Sequence, residues 1–354
     1  MNESSAKGVS ELLRQHREAL AESAVVRQYA AHSDRWASFG PEGRAKSLRD
    51  MGYHLDYLAE ALAASDPVLF TEYIAWVKVL FAGLGFSDVV IPNTLNALRE
   101  ALEELLPGEV VTVAGAYLDA GSVRAETAPA KLPSLIDVHA PHGDLAQRYL
   151  GYLLTGDRQA ASRLILRAVE DGVSVPEIYI HVFQTTQREV GRLWQTNQIS
   201  VAQEHYCTAA TQLVMSQLYP HIFGGDRKDL RFVGTCVGGE LHEMGVRMVA
   251  DFFEMEGWDT YYLGANMPPE AVVQAVRDRR ADVVGISATM TFHTRRTAEL
   301  IERLRAAEGG ADLVILVGGY PFNLADQLWR EIGADGYAPS AQEAVAVASG
   351  LTGA

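Results

Sequence analysis

The sequence has no uninterrupted run of apolar residues long enough to span a bilayer, which takes about 18 residues. Its opening stretch, MNESSAKGVSELLRQ, also lacks the apolar core of a secretory signal peptide. Only two cysteines occur, Cys207 and Cys236, and they cannot form a disulfide framework or a paired-cysteine metal motif. We therefore expect a cytoplasmic protein that does not enter a membrane.

Basic clusters are missing as well. The chain has 30 lysine and arginine residues against 45 aspartate and glutamate residues, a formal net charge of -15. A protein that binds duplex nucleic acid needs a basic face to displace counterions from the phosphates, so direct nucleic-acid binding is not expected. The hydrophobic fraction of 48% is ample for a folded core, and 354 residues leave room for two or three domains.

Residues 1–124 have helical rather than strand periodicity. Over Tyr53–Leu62 apolar side chains recur at i, i+3, i+4 and i+7, which is the spacing of one helix face. Asp66 followed by Pro67 predicts the start of another helix. We therefore predict an all-helical N-terminal domain.

A linker and a second helical region follow. Residues 125–143 contain Pro129, Pro133 and Pro141 among small residues, a composition that predicts a linker. Helical periodicity returns over 144–225, and this length suits a bundle of four antiparallel helices.

The pattern changes again over 228–354, where short β-rich runs alternate with helical segments. This alternation predicts a doubly wound parallel sheet of flavodoxin or Rossmann type. Ligands of such sheets bind in the crevice beyond the carboxyl ends of the strands. The predicted strands are Phe232–Val237, Thr260–Leu263, Val283–Ser287, Leu313–Val317 and a weaker one at Gly336 and Tyr337.

The loop after the first of these strands carries a histidine, His242. Neutral imidazole is a good ligand for a borderline transition metal. Glu240, two residues earlier, can accept the proton of the far ring nitrogen and so fix the tautomer. Gly245 leaves room for a bulky group against the following helix. A single histidine on a loop is equally compatible with a solvated side chain that binds nothing.

The wider spacing favours the metal interpretation. Glu240, His242 and Gly245 are followed after 41 residues by Ser287-Ala288-Thr289, and after 28 more by Gly318-Gly319. This pattern resembles the cobalamin-binding domain family, in which aspartate is commoner at the position of Glu240. The resemblance implies that His242 replaces the benzimidazole of cobalamin as lower cobalt ligand. It further implies that the displaced nucleotide tail lies in the sheet. The other residues that it places at the cofactor are Leu241, Gly245, Ser287, Thr289, Gly318 and Gly319.

Within the second helical region, Trp194 is separated by nine residues from Glu204-His205. This pattern resembles the four-helix cap of CarH-type cobalamin photoreceptors. It implies that Trp194 covers an adenosyl group on the upper cobalt face, and that Glu204 and His205 border its pocket. The alternative is that Trp194 is core and that the other two are solvated. Gln195 stands where such photoreceptors have a histidine that binds cobalt after photolysis, so that role would fall to His205, His181 or water.

The N-terminal region is loosely similar to globin-like sensor domains, and in particular to photocobilins, which pair cobalamin with a bilin. That resemblance implies an aromatic slot with a nearby cation for biliverdin. His54 would bond pyrrole nitrogens or ligate a haem. The alternative is ordinary aromatic packing with His54 in solvent. The residues of this predicted slot are Trp36, Tyr53, His54, Tyr57 and Trp76, with Arg44 as the cation.

Taken together, the resemblances imply a light sensor without enzymatic turnover, in which photolysis of adenosylcobalamin shifts the cap. We expect a homo-oligomer, a dimer in the simplest case, or a separate downstream signalling protein. The alternative is a corrinoid carrier of a methyltransferase system. A radical mutase is disfavoured because the chain has no room for the roughly 250-residue barrel that such reactions use.

Overall fold

The computed structural model describes residues 3–31, 40–223 and 227–353. The chain divides into two compact units, Met1–Lys131 and Leu132–Ala354. Among the described residues, no helix is long and apolar enough to cross a membrane.

The described part of the first unit is helical throughout, which confirms the prediction of a multi-helical N-terminal region. Leu58, Phe70, Leu98 and Leu118 belong to its core and are fully buried or nearly so. The side chain of Asp66 accepts a hydrogen bond of 2.9 Å from the backbone at the start of the fourth helix. The helices are α1 (Glu3–Gln15), α2 (Arg17–Ala31), α3 (Gly40–Ala63), α4 (Val68–Gly83), α5 (Val90–Leu105) and α6 (Gly108–Thr127). The sixth helix thus runs past residue 125, where the sequence predicts the start of the linker.

The second unit opens with irregular backbone and continues as a bundle of helices. Ser174 and Ser200 each form a capping box at a helix start, so two sharp turns are fixed locally. The helices are α7 (Gly143–Leu154), α8 (Arg158–Glu170), α9 (Val175–Glu177), a π-helical segment (Ile178–Gln184), α10 (Thr185–Gln195), α11 (Val201–Gln217) and α12 (Tyr219–Ile222). The segments from Val175 to Gln195 follow one another without a break, so α9, the π-helical segment and α10 form one long rod.

The rest of this unit is a parallel five-stranded sheet in the order β2-β1-β3-β4-β5, which confirms the predicted α/β architecture. The strands are β1 (Arg231–Val237), β2 (Asp259–Met267), β3 (Val283–Ser287), β4 (Val314–Gly318) and β5 (Gly336–Tyr337). The helices are α13 (Met244–Met255), α14 (Pro269–Arg279), α15 (Thr294–Ala306), α16 (Tyr320–Leu324), α17 (Leu328–Glu331) and α18 (Ala341–Thr352).

Strand register brings the predicted motifs to one edge of the sheet. Cys236 pairs with Ser287, and Ser287 pairs with Gly318. The loops that follow β1, β3 and β4 therefore leave the sheet side by side, at the carboxyl ends where doubly wound sheets bind ligands.

Candidate functional site

The loop after β1 is organised around the carboxylate of Glu240, whose residue is 0% exposed. Its Oε1 lies 2.6 Å from Nδ1 of His242 and accepts the backbone N–H of His242 at 3.0 Å. Its Oε2 accepts the backbone N–H groups of Thr289 and Met290 at 2.7 and 3.0 Å. Nδ1 of His293 lies 2.9 Å from the same oxygen. One buried carboxylate therefore joins the loop after β1 to the loop after β3.

These five donors decide the charge of Glu240. Burial by itself raises the pKa of a carboxyl group, but hydrogen bonds from His242, His293 and the backbone outweigh it and hold the pKa of Glu240 far below its usual range. The carboxylate is consequently ionised and able to accept from both imidazoles.

Among the described residues, His242 has a hydrogen-bond partner at one ring nitrogen, Nδ1. Its side chain is 57% exposed, and the bond to Glu240 is the first cause that raises its pKa. With the proton on Nδ1 donated to Glu240, the Nε2 lone pair is the one available to a metal. No group of three or more His, Cys, Asp or Glu among the described residues can hold a metal alone. A corrin would need no such group, because it would bring its own nitrogen ligands for cobalt and would require one imidazole from the protein.

Further contacts hold the loop in place. Arg296 donates to the carbonyl oxygen of Gly238 at 2.6 Å, and the side chain of Asn266 accepts from the backbone of Gly239 at 2.7 Å. The side chain of Leu241, between Glu240 and His242, is exposed. Sequence reasoning missed His293, Asn266 and Arg296, since each contacts the loop only through the adjacency of strands in the sheet.

The small residues predicted beside the loop face one another. A Cβ atom on Gly245 would lie 4.0 Å from Oγ of Ser287, so α13 and the end of β3 border one space. At Gly319 φ is +107°, and a Cβ there would lie 2.0 Å from the carbonyl oxygen of Ala288. Glycine is therefore required at 319 by backbone approach alone. At Gly318 a Cβ would lie 3.1 Å from the carbonyl oxygen of Ala338.

The helical bundle also approaches this loop. Gln212 on α11 donates a hydrogen bond of 2.9 Å to the side chain of Glu243, the residue that directly follows His242 in the chain. On the same helix the negative charge of Glu204 adds to the causes that raise the pKa of His242, behind the larger effect of Glu240. Glu204 accepts from Thr208 at 3.1 Å and lies 2.6 Å from Nδ1 of His205.

Three other residues of the bundle that the sequence analysis names differ in burial. Trp194 is half-buried against the core of the second unit, while Gln195 is buried. His205 exposes 75% of its side chain. The structure therefore brings Glu204 and His205 together, and Glu204 close enough to influence His242.

The predicted bilin slot is only partly assembled. His54 is 5% exposed and lies 2.8 Å from the hydroxyl of Tyr73, so the alternative of a solvated His54 is wrong. Tyr57 stacks on Tyr73 at 3.6 Å between ring centroids. His54 lies on the buried face of α3, where its Nδ1 contacts the hydroxyl of Tyr73. The remaining residues are distributed as follows: Tyr53 and Trp76 are exposed, Arg44 lies over the ring of Tyr29, and Trp36 lies outside the described residues.

Two family models, both described as B12 binding domain, match residues 230–346 and 145–219. Dimethylamine corrinoid protein 3 of Methanosarcina mazei is 34% identical over 121 residues, which are 34% of this chain and 70% of that protein. The chain belongs to the B12-binding family. A corrinoid protein of Desulfitobacterium hafniense is 27% identical over 207 residues, 57% of this chain and 94% of that protein. Among solved structures, the monomethylamine corrinoid protein of Methanosarcina barkeri shares the fold with a TM-score of 0.52 at 23% identity, covering 59% of this chain and 99% of that one.

These relatives confirm that the protein is a cobalamin-binding family member, as the spacing around His242 predicts. The two relatives compared by sequence are named corrinoid proteins, in agreement with the expectation that this chain is not itself an enzyme. The CarH-type and photocobilin resemblances find no such support and stay predictions. The donor set fits the cofactor, because an exposed imidazole with a buried carboxylate behind it borders a space lined by small residues.

Proposed function

We propose that this protein is a corrinoid carrier, which binds cobalamin through Nε2 of His242 and offers the upper cobalt face for transfer of a methyl group. The contact between His242 and Glu240 carries the proposal, because it fixes which ring nitrogen is free. The extent of the match supports it, since the chain covers 94% and 97% of the length of two relatives named corrinoid proteins.

In this proposal the residues around His242 have distinct roles. Bound cobalamin supplies reversible alkyl transfer at cobalt. Glu240 keeps a proton at Nδ1 of His242 and thereby makes Nε2 the more basic donor. Ser287 would hydrogen-bond the displaced base, and Gly245 would leave room for a bulky group against α13. Thr289 contributes its backbone N–H to Glu240, and Leu241, Gly318 and Gly319 complete the border of the proposed site.

The lower ligand is tested by reconstituting purified protein with hydroxocobalamin and recording its visible spectrum. The wild type is expected to show the spectrum of cobalamin whose own base has been replaced by histidine. His242→Ala is expected to show the base-off form or to lose the cofactor. His139→Ala, which removes another exposed histidine of the same unit, serves as control. A histidine-ligated spectrum that persists in His242→Ala contradicts the proposal.

The carrier role is tested by reducing the loaded protein and adding a methylated amine with and without a separate methyltransferase. Methylation that requires the second protein supports a carrier. The relatives' names make methylamines the first donors to try. Failure of every donor, with the lower ligand intact, leaves cobalamin binding in place and removes the carrier role.

A second candidate, light sensing, has one observation in its favour. Trp194 and the pair Glu204-His205 stand in the photoreceptor-like spacing, and Oε2 of Glu204 lies 2.6 Å from Nδ1 of His205. A sensor loaded with adenosylcobalamin is expected to change its spectrum irreversibly within minutes of green light and to alter its elution volume, reporting a change in assembly. A red absorption band after addition of biliverdin would extend the proposal to the N-terminal aromatic residues, and its absence in the loaded protein would remove that extension.

A further inference from the structure

Helix α13 carries a polar stripe where it meets the helical bundle. Glu243, which directly precedes the helix, Arg247 and Asp251 follow one another at intervals of four residues, so they lie on one helix face. Each of the three bonds to the bundle. Along the helix, the contacts are Gln212 to Glu243 at 2.9 Å, Arg247 to Ser216 at 2.8 Å and Tyr179 to Asp251 at 2.8 Å.

Arg247 is able to bond in two directions. Towards the bundle it donates to Oγ of Ser216 and, at 3.5 Å, to the hydroxyl of Tyr219. Its Nε is buried and has no hydrogen-bond partner among the described residues. Asp251 stands one helical turn further along the same face, which is the spacing at which an arginine and a carboxylate interact on a helix. A donor without a partner thus lies one turn from a buried carboxyl group.

Asp251 changes its charge close to neutral pH. Burial is the largest influence on this residue, which is 7% exposed, and raises its pKa from 3.8 to about 6. The hydrogen bond from Tyr179, the charge of Arg247 and the hydroxyl of Tyr219 lower the pKa and offset burial only in part, while the charge of Glu254 raises it. These groups lie on α13 itself, on the π-helical segment and on α12.

Other elements packed on α13 carry titratable groups as well. On β2 the hydroxyl of Tyr262 faces Glu243 and Arg247, and on α18 Glu343 is exposed. The largest effect of a charge on Asp251 is that of Arg247. Loss of the proton from Asp251 therefore draws on the guanidinium one turn away.

We propose that Arg247 and Asp251 form a proton-dependent latch, in which Arg247 holds the bundle while Asp251 is protonated and turns to Asp251 when that carboxyl group ionises. The proton passes to solvent, and the guanidinium exchanges its bond to Ser216 on the bundle for an ion pair within α13. Nε of Arg247 gains an acceptor in the second arrangement.

The direction of the pH dependence follows from the raised pKa of Asp251. The folded protein favours the protonated carboxyl group, so the contact of Arg247 with the bundle prevails below about pH 6 and is released as pH rises through this value. The bundle is then bound to α13 at one more point in acid than at neutral pH. Helix α13 begins two residues after His242, so the latch acts on the helix that leads out of the candidate cobalamin loop.

The test measures the pKa of Asp251 in full-length protein by carbon-13 NMR of labelled aspartate, with the signal assigned from Asp251→Asn. Ser216→Ala removes an acceptor that competes for Arg247, so the guanidinium pairs more readily with ionised Asp251. The pKa of Asp251 is expected to fall by about 0.3 to 0.5. A guanidinium that stays in one place would leave this pKa unchanged.

Two further variants show whether the effect passes through Arg247. Arg247→Met keeps an apolar stem but removes the charge, so the pKa of Asp251 should rise. In that background Ser216→Ala should have no further effect, because it acts through the guanidinium. Ser122→Ala on α6 is the matched control. Ser122 donates to the carbonyl oxygen four residues earlier at 2.9 Å, as Ser216 does, but in the first unit.

An unchanged pKa of Asp251 in Ser216→Ala overturns the inference, and so does a fall that persists when Arg247 is replaced by methionine. If Arg247→Met does not fold, the comparison of Ser216→Ala with Ser122→Ala decides alone, and a fall in the first variant only supports the latch. None of these measurements needs cobalamin, so failure of the latch leaves the proposed function intact, and a protein that binds no cobalamin leaves the latch intact.

Discussion

Glu240→Gln is the change that tests the site most directly, because it alters the charge of one buried group and almost none of its volume. The amide oxygen can face either the two donors of His242 or the three donors of Thr289, Met290 and His293, and the second choice is better because it keeps more hydrogen bonds. The NH₂ group then faces His242. It can satisfy the ring only as a donor, which requires Nδ1 to be the acceptor and moves the ring proton to Nε2. The variant therefore holds His242 in the tautomer that cannot bind cobalt.

The cost to stability follows from the bonds that are lost. Wild-type Oε1 accepts two donors from His242, at 2.6 and 3.0 Å. A hydrogen bond to a charged group contributes about 1.5–3 kcal/mol, and a buried donor left without a partner costs about 1–3 kcal/mol. Because the ring regains one bond in its other tautomer, we expect the free energy of unfolding of the cobalamin-free protein to fall by about 3 kcal/mol.

Two measurements check this expectation, a urea unfolding curve of the cobalamin-free protein and the visible spectrum after reconstitution. Glu243→Gln is the control. Glu243 accepts from the side chain of Gln212 and from the backbone of Ala265, and rotation of the Gln212 amide restores both bonds. A Glu240→Gln protein with an unchanged unfolding midpoint and a histidine-ligated spectrum would refute the account of Glu240 as the group that orients His242.

Three other predictions concern the scaffold. Burial lowers the pKa of His54 from 6.5 to about 4, so the protein should lose about 3 kcal/mol of stability as pH falls from 6.5 to 4, and His54→Leu should lack this loss in acid titration. Asp251 shifts the other way, since burial raises its pKa from 3.8 to about 6; stability from this group is present below pH 3.8 and is lost as pH rises through 6. Asp251→Asn should therefore leave stability at pH 7 unchanged or higher, and a drop of several kcal/mol would contradict this sign. Gly319→Ala should destabilise by more than about 1 kcal/mol in thermal unfolding because of its φ and the nearby carbonyl, whereas Gly151→Ala, with nothing within 4 Å, should not.

The sequence was sufficient to predict the sheet, since its buried strands read as short apolar runs between helical segments. It also predicted that Glu240 and His242 would act together, because two residues of one loop are adjacent whatever the fold. The partnership of Glu240 with His293 is different. It joins residues 53 apart in the chain and depends on β1 and β3 being neighbours, which no local pattern encodes.

Pro129 and Pro133 predict a linker, and composition carries no information on the buried ion pair of Glu189 and Arg192 in α10, which bonds to the backbone of Leu132 and Leu135. One alternative that the sequence left open is wrong for a physical reason. His54 was weighed as a solvated side chain, although it falls at helical spacing among Met51, Leu58 and Leu62, all buried. Helical periodicity alone therefore predicts that His54 is buried, although a polar imidazole is usually expected in solvent.

The choice of glutamate at position 240 has an explanation in the same contacts. The carboxylate must reach His242 on its own loop and, at the same time, Thr289 and Met290 on the loop after the neighbouring strand β3. An aspartate is shorter by one methylene, about 1.5 Å, which exceeds the tolerance of a hydrogen bond between 2.7 and 3.2 Å. From the position of this backbone it would serve one loop and leave donors of the other buried without a partner. The longer side chain is thus the one that ties His242, the proposed lower ligand, to the body of the sheet.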